Sequence, residues 1–452
     1  MSTGRLTTAE AARRLGVKPQ TVYAYVSRGL LHSTRDPGGR GSWFDAAEVE
    51  RLVARSASRG GGPEIRTALT LISGGRLYYR GRDAVELARE ETFESVADWL
   101  WRGQWREQGA APFTAPPEVL RRARAAVAVL PPTARLTDQL RTVVTVAAAA
   151  DPLRFHTQPA DVVATGATLL AAMVDALPVR PSGAGRGTPA RPGGTDGGPG
   201  GTDSGPGGTD GGPDGTDGGP DGGADGGAER GPSPAGEAGL AVRLWPRLTD
   251  RKPWPAGVAV LNSALVLLAD HDLAASTLAA RVAASTRAHP YAVVTAGLAA
   301  LDGPLHGNAV SAAYRLLGEA IASGDPVGAY AERLRSDGRV AGFVDHAHLL
   351  YPEGDIRAAA LLGDLSAAGL PEPVQAAVTG LVAAASSRSP RHPNIDFGLA
   401  VLCHAFGMPP DAGEAIFAIA RTAGWIAHAL EEYAAPGQRF RLTGSYVGEQ
   451  PQ

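Results

Sequence analysis

Cysteine is almost absent: the 452-residue chain holds one, Cys403, in the apolar run LAVLCHAFG. One thiol cannot form an intrachain disulfide, so no disulfide framework supports the fold and a reducing compartment is expected. Free cysteine is usually buried, and Cys403 reads as a small core side chain. No stretch approaches the roughly 18 apolar residues of a membrane span. The opening MSTGRLTTAEAARRLG has no apolar centre of the kind a secretory signal carries. A cytoplasmic protein with no membrane partner is therefore expected. Charge of one sign is lacking too, since the formal net charge is -3, which gives no global attraction to nucleic acid or anionic lipid. That balance conceals two opposed segments. Residues 1–59 are rich in arginine, whereas 195–229 carry aspartate almost alone among the charges.

Apolar residues are plentiful, at 44%, and the length allows two or three domains with a sizeable core. From 182 to 238 the chain is Gly, Pro, Asp, Thr and Ser in an imperfect GGTDGGP repeat. With almost no side chain to bury, such a segment cannot offset the entropy of ordering it and is expected to be a disordered insertion. Calcium-binding Gly/Asp repeats carry a large apolar residue at a fixed place, which is missing here. Elsewhere Ala, Leu and Val recur three and four residues apart, as in AVLNSALVLLADHDLAASTLAARVAAST, the mark of amphipathic helices. Alternation with period two is confined to ALTLISGGRLYYRG, where Gly74 and Gly75 mark a hairpin turn. A mainly α body with one short hairpin near its start follows.

Residues 1–58 read as a small winged helix-turn-helix. Thr7 or Thr8 caps a first helix with Glu10 in its first turn, Gly16 ends it, and Pro19 opens a second helix that Gly29 closes. LLHSTRDPGGRGSWF forms a wing of two strands, and Asp45 starts a last helix. The motif LTTAEAARRLGVKPQTVYAYVSRGLL resembles the DNA-binding domain of MerR and excisionase-type proteins. Lys18, Gln20, Thr21, Tyr23 and Arg28 then lie on or beside the second helix, where they can meet bases and phosphates, with Arg35 and Arg40 on the wing. One such module makes few phosphate contacts, so DNA binding would need a dimer. The alternative is a module that serves only dimerisation or docking.

Several further segments stand in a fixed order: ADHDLAAST with His271, LAALDGPLHGNAV with His306, AGFVDHAHLLYPEGDIRAAAL, and HPNIDFGLAVL with Asp396. IFAIARTAGWIAHALEE follows with Arg421, and RFRLTGSYVG with Arg441. Together they resemble the citrate synthase family over nearly all of the chain outside the N-terminal module and the insertion. The resemblance implies the citrate synthase fold. Its large helical domain would comprise 64–305 and 399–452, with the 182–238 insertion, and its small helical domain 306–398. A cleft between them would hold the site.

The resemblance also implies condensation of acetyl-CoA with oxaloacetate to citrate and free CoA, the entry to the tricarboxylic acid cycle. No cofactor or metal is expected, and the assembly would be a homodimer. Such chemistry needs a base on the thioester methyl, a neutral donor on the thioester oxygen and an acid on the 2-oxo carbonyl. The resemblance gives Asp396 the first role, His306 the second and a histidine of the third segment the last. His271 would bind oxaloacetate. Arg357, Arg421 and Arg441 would hold its carboxylates as guanidinium forks do, Arg441 reaching the neighbouring subunit.

Counting back from Leu350 and Tyr351 selects His348 in the third segment; counting forward from Gly342 and Phe343 lands nearer Asp345 and His346. His348 is preferred. Ile356 and Asn308 replace the family's usual proline and second glycine. His392 reads as structural or solvent-facing, and His428, on an apolar helix, as a core or surface residue, although the resemblance makes it a candidate to support the site from behind. Two other functions stay open: a 2-methylcitrate synthase taking propionyl-CoA, and a DNA-binding regulator whose synthase-like body senses a ligand.

Overall fold

The computed structural model describes residues 5–15, 17, 19–27, 31–35, 42–46, 48–49, 52, 65–181, 238–304, 306–307, 309–345, 350–351, 353–387, 391–438, 440 and 448. Two compact units emerge, one from 1–67 with 439–452 and one from 68–438.

In the first unit, strand β1 (Arg5–Thr7) leads into α1 (Thr8–Leu15) and α2 (Pro19–Ser27), followed by β2 (Ser33–Arg35) and β3 (Ser42–Asp45). The start of α1 is a reciprocal cap: the Thr7 amide donates to Glu10 Oε2 at 2.8 Å and the Glu10 amide to Thr7 Oγ1 at 3.3 Å. The two wing strands pair antiparallel as the sequence predicts, and β1 adds a third on the other edge of β3. That strand is too short to show a period; Leu6, opposite Phe44, secures it against a core of Ala11, Leu15, Val22, Leu31 and Phe44. Asp45 Oδ1 accepts from the Glu48 amide at 3.0 Å, at the place where the sequence expects the last helix to start.

The second unit opens with the hairpin β4 (Thr70–Ser73) and β5 (Arg76–Tyr79), joined through Gly74 and Gly75 at φ of +59° and +73°. Both are left-handed, as a two-residue hairpin turn requires. β6 (Arg82–Asp83) extends this sheet. Helices then dominate: α3 (Ala84–Glu90), α4 (Phe93–Arg102), α5 (Pro117–Ala128), α6 (Leu136–Ala150) and α7 (Pro159–Asp175). After the insertion come α8 (Leu240–Leu248), α9 (Pro255–Leu268), α10 (Ala275–Ser285), α11 (Pro290–Leu301), α12 (Ala309–Ser323) and α13 (Pro326–Asp337). β7 (Phe343–Asp345), α14 (Ile356–Ala368), α15 (Glu372–Ser386), β8 (Arg391–Pro393), α16 (Ile395–Phe406) and α17 (Ala412–Ala434) complete the unit.

α17 is buried on every face from Ala412 to Ala429, which makes it the axis of the core. It packs against α4, α7, α9, α10 and α11. Cys403 is fully buried on α16, as its apolar run predicts. The β7–β8 ladder, with Phe343 opposite Pro393 and Val344 opposite His392, is a departure from the single expected hairpin. Three residues per strand are too few to leave a period in the sequence, and the ladder joins the third and fourth motif segments. Among the described residues no helix is long and apolar enough to cross a membrane.

Candidate active site

A cavity of about 730 Å³ in the second unit is lined by His271, His306, Tyr351, Asp355, Arg357, Asn394, Asp396, Phe417 and Arg421, among others. Most come from loops or element ends, whereas Phe417 and Arg421 project from within α17. Asp396 stands in the first turn of α16, whose N-cap is Asn394. Asn394 Oδ1 accepts from the Phe397 amide at 3.3 Å while Nδ2 donates to Asp396 Oδ2 at 3.0 Å. The Asn394 amide in turn donates to Gly342 O at 2.9 Å. Gly342 has φ +87°, and a Cβ there would lie 3.0 Å from Phe397 Cβ, so only glycine fits this approach of the two motif segments.

Desolvation pushes the Asp396 carboxyl up to about 7, against the opposing pull of Arg357 and the Asn394 hydrogen bond and with reinforcement from Asp355. At neutral pH it can exchange a proton, the condition for a general base. His306 lies between α11 and α12, its Nε2 2.8 Å from Ser276 Oγ. Burial and the nearby Arg421 lower its pKa to about 4, so it is neutral at physiological pH. His271 Nε2 lies 2.8 Å from the Tyr351 hydroxyl, whose pKa burial raises to about 12.

The two cations differ. Arg357 donates from Nε and Nη2 to the Asp355 carboxylate, which more than offsets the effect of burial and holds the guanidinium above its ordinary pKa. Arg421, 1% exposed, donates from Nε to Leu268 O at 2.9 Å, and its Nη1 and Nη2 have no partner among the described residues. Its guanidinium stacks 4.7 Å above the Phe417 ring. Burial lowers its pKa to about 10, which leaves it a cation at neutral pH. A buried guanidinium with two free donors is an anion-binding group.

Residues 61–442 match the family model for the citrate synthase C-terminal domain. The chain belongs to the citrate synthase family. Residues 5–57 match the model of a helix-turn-helix domain. Citrate synthase of Acidithiobacillus ferridurans is 35% identical over 231 residues, 48% of this chain and 58% of that protein. Citrate synthase 2 of Bacillus subtilis is 33% identical over 208 residues, 44% of this chain and 54% of its own length. 2-Methylcitrate synthase 2 of Corynebacterium glutamicum is 34% identical over 202 residues, 43% and 51% of the two chains. This chain thus matches about half the length of its curated relatives.

Citrate synthase of Thermoplasma acidophilum, solved as a ternary complex with carboxymethyl coenzyme A and oxaloacetate, aligns over 88% of this chain and 97% of its own, with TM-score 0.63 and 23% identity. The Thermotoga maritima enzyme aligns over 86% and 95%, with TM-score 0.60 and 22% identity. These neighbours establish the mainly α citrate synthase fold, joined here to the N-terminal helix-turn-helix.

Within this citrate synthase family member, one cavity gathers five of the site residues expected from sequence: His271, His306, Arg357, Asp396 and Arg421. His348, its rival His346, and Arg441 fall outside the described residues. So do Lys18, Arg28, Arg40 and the 182–237 part of the insertion. On α2, Gln20 is exposed, Thr21 is half-buried, and Tyr23 is 49% exposed with its hydroxyl 3.3 Å from Thr8 Oγ1. Arg35 ends β2, its side chain outside the described set. Sequence reasoning missed Ser276, Tyr351, Asp355 and Asn394 as site residues, although all four lie inside the motif segments that point to the site. Among the described residues no group of three His, Cys, Asp or Glu side chains could hold a metal.

Proposed function

We infer that the chain is a citrate synthase-type acyltransferase, condensing acetyl-CoA with oxaloacetate. The observation that carries this reading is the meeting, in one cavity, of Asp396, a neutral His306 and the open fork of Arg421. Asp396 removes a proton from the thioester methyl. His306 donates a hydrogen bond to the enol oxygen that forms, and its lowered pKa keeps it a neutral donor. The enol carbon then attacks the 2-oxo carbon of oxaloacetate. A histidine of the third segment, His348 in preference to His346, protonates the developing alkoxide. Water finally hydrolyses the thioester, giving citrate and the free thiol of CoA.

Arg421, with Arg357 and Arg441, binds the carboxylates, and His271 the 2-oxo acid. The division into a large domain (64–305 and 399–452) and a small one (306–398) lets a cleft close and exclude water during enolisation. No cofactor beyond the CoA substrate enters the scheme. Leu278 and Val282, one turn apart on α10 and 41% and 42% exposed, support a homodimer in which this face is covered; sedimentation tests it. A cytoplasmic enzyme completes the reading.

CoA thiol release on mixing protein, acetyl-CoA and oxaloacetate is the deciding measurement, beside Asp396→Ala and with propionyl-CoA in parallel. Turnover lost in the variant supports the synthase, and faster turnover with propionyl-CoA favours a 2-methylcitrate synthase, the activity named for the Corynebacterium relative. No turnover with either thioester in folded protein overturns the enzyme reading. The helix-turn-helix match at 5–57 favours a second reading, a DNA-binding regulator whose body senses a ligand. A DNA affinity that oxaloacetate or acetyl-CoA shifts, with a steep salt dependence, would support it.

A further inference from the structure

Beneath the cavity runs a chain of fully buried polar groups that the condensation itself does not use: Asp270, His428, Arg281 and Glu432. Each oxygen of Asp270 lies 3.2 Å from His428 Nε2, and Thr70 Oγ1 donates to Oδ2. His428 Nδ1 is 2.6 Å from Arg281 Nη1, and Arg281 Nε donates to Glu432 Oε1 at 2.6 Å. A guanidinium only donates, so Nδ1 accepts and the ring proton sits on Nε2, directed at Asp270. His428 thereby presents its Nε2–H to both oxygens of Asp270.

Arg421 stands two helical turns before His428 on α17, its Nε held by Leu268 O, two residues from Asp270. Burial alone would raise the Asp270 carboxyl, but His428, Arg421 and Thr70 together hold it below its ordinary value. The anion therefore feels the cation, yet no ion pair joins them, and both outer nitrogens of Arg421 lack a partner among the described residues. An unpaired buried guanidinium beside a buried carboxylate would ordinarily close into a two-pronged bridge. Gly424 shows how closely α17 meets this turn: a Cβ there would stand 2.4 Å from Ala269 O and 2.6 Å from Asp270 Oδ1.

We propose that His428 is a positioning residue which keeps the Asp270 carboxylate off Arg421, so that the outer nitrogens of Arg421 remain free for a carboxylate of the 2-oxo acid. Asp270 neutralises the buried cation without occupying its donors. The role rests on the condensation reading of the cavity, and it adds to that reading the reason Arg421 is available.

The test compares His428→Leu, His428→Gln, Asp270→Asn and the His428→Leu/Asp270→Asn double variant in the full chain. Without the Nε2 donor Asp270 turns to Arg421, so His428→Leu raises the KM for oxaloacetate about tenfold or more while leaving the KM for acetyl-CoA unchanged. Gln returns an N–H close to the place of Nε2 and recovers most of the loss. In the double variant the competing charge is gone and the KM for oxaloacetate falls back. A merely structural role predicts the reverse, a double variant worse than the single one.

An unchanged KM in His428→Leu, or no recovery in the double variant, overturns the proposal. Should the Leu variant fail to fold, Asp270→Asn alone decides: a KM for oxaloacetate no higher than the parent's supports the proposal, and a higher one overturns it. Calorimetric binding of oxaloacetate to the same set separates the two claims. Absent turnover with binding that His428→Leu weakens and the double variant restores sinks only the condensation reading, whereas a parent that binds no oxaloacetate sinks both.

Discussion

Asp355 grips Arg357 with both oxygens, accepting from Nε at 3.0 Å and from Nη2 at 2.8 Å. The same carboxylate receives the Ile395 amide at 3.0 Å, one residue before Asp396. Asp355 thus neutralises one cation of the site and helps to keep the neighbouring Asp396 carboxyl high. Asp355→Asn removes that charge and leaves Arg357 buried and uncompensated. Two outcomes are expected: destabilisation of about 3–5 kcal/mol in denaturant melts, and a midpoint for the acid limb of activity displaced to lower pH. An unmoved midpoint would mean that Asp355 has no electrostatic hold on Asp396.

The base must be ionised to act, and Asp396 is held at about 7 by desolvation. The kcat/KM for the thioester is therefore expected to rise with pH through a single proton loss near 7 and to level off above it. His306, lowered to about 4, stays neutral throughout that range and adds no second limb. A pH series of CoA release checks this.

Stability should run the other way. The carboxyl of Asp396 is raised from 3.8 to about 7 in the folded chain. Between those values the folded state keeps a proton that the unfolded state gives up, so stability falls as pH rises through the window. Asparagine does not titrate. Thermal melts should find Asp396→Asn gaining on the parent from about pH 4 to 7, with the difference constant above that.

Gly424→Ala tests the close packing of α17. Its methyl would press on Ala269 O and Asp270 Oδ1. Overpacking of this kind costs about 1–3 kcal/mol, to be read from melting. Because the displaced turn carries His271, the KM for oxaloacetate should rise as well, while the KM for acetyl-CoA stays.

Removal of residues 182–237, with a short Gly/Ser bridge in their place, should leave the fold within about 1 kcal/mol of the parent, since loop length enters stability only logarithmically. The flanking helices are secured by their own contacts. Arg243 on α8 pairs with Asp175 on α7, the Arg180 amide donates to Pro246 O at 2.8 Å, and the Leu240 amide to Glu94 Oε1 at 2.5 Å. Insoluble protein would refute the expectation.

What could be read from sequence follows from the range of the forces involved. The apolar stripes of α9, α10 and α17 are local, and so is the glycine pair of the β4–β5 turn. The reactive side chains of His271, His306, Asp396 and Arg421 sit in short segments whose residue types are dictated by chemistry. The partnership of Asp270 with His428 spans 158 residues of chain and leaves no period, so the apolar helix alone makes His428 an ordinary residue and the resemblance marks it as a support of the site without naming its partner. The three-residue strands β1, β7 and β8 depend on partners distant in the chain. The bidentate pairing of Arg357 with Asp355 was likewise hidden, because a motif names a cation without saying which anion of the chain lies against it.

Thr70 and His428, the two side chains that hold Asp270, come from opposite ends of the second unit. During synthesis on the ribosome the first is present from the start and the second emerges more than 350 residues later. Until then the turn bearing His271 has a buried carboxylate satisfied from one side only. A chain broken off shortly before residue 428 keeps most of its helices but lacks the His428 contact to this turn, and it should be conspicuous to the proteases that clear unfinished products.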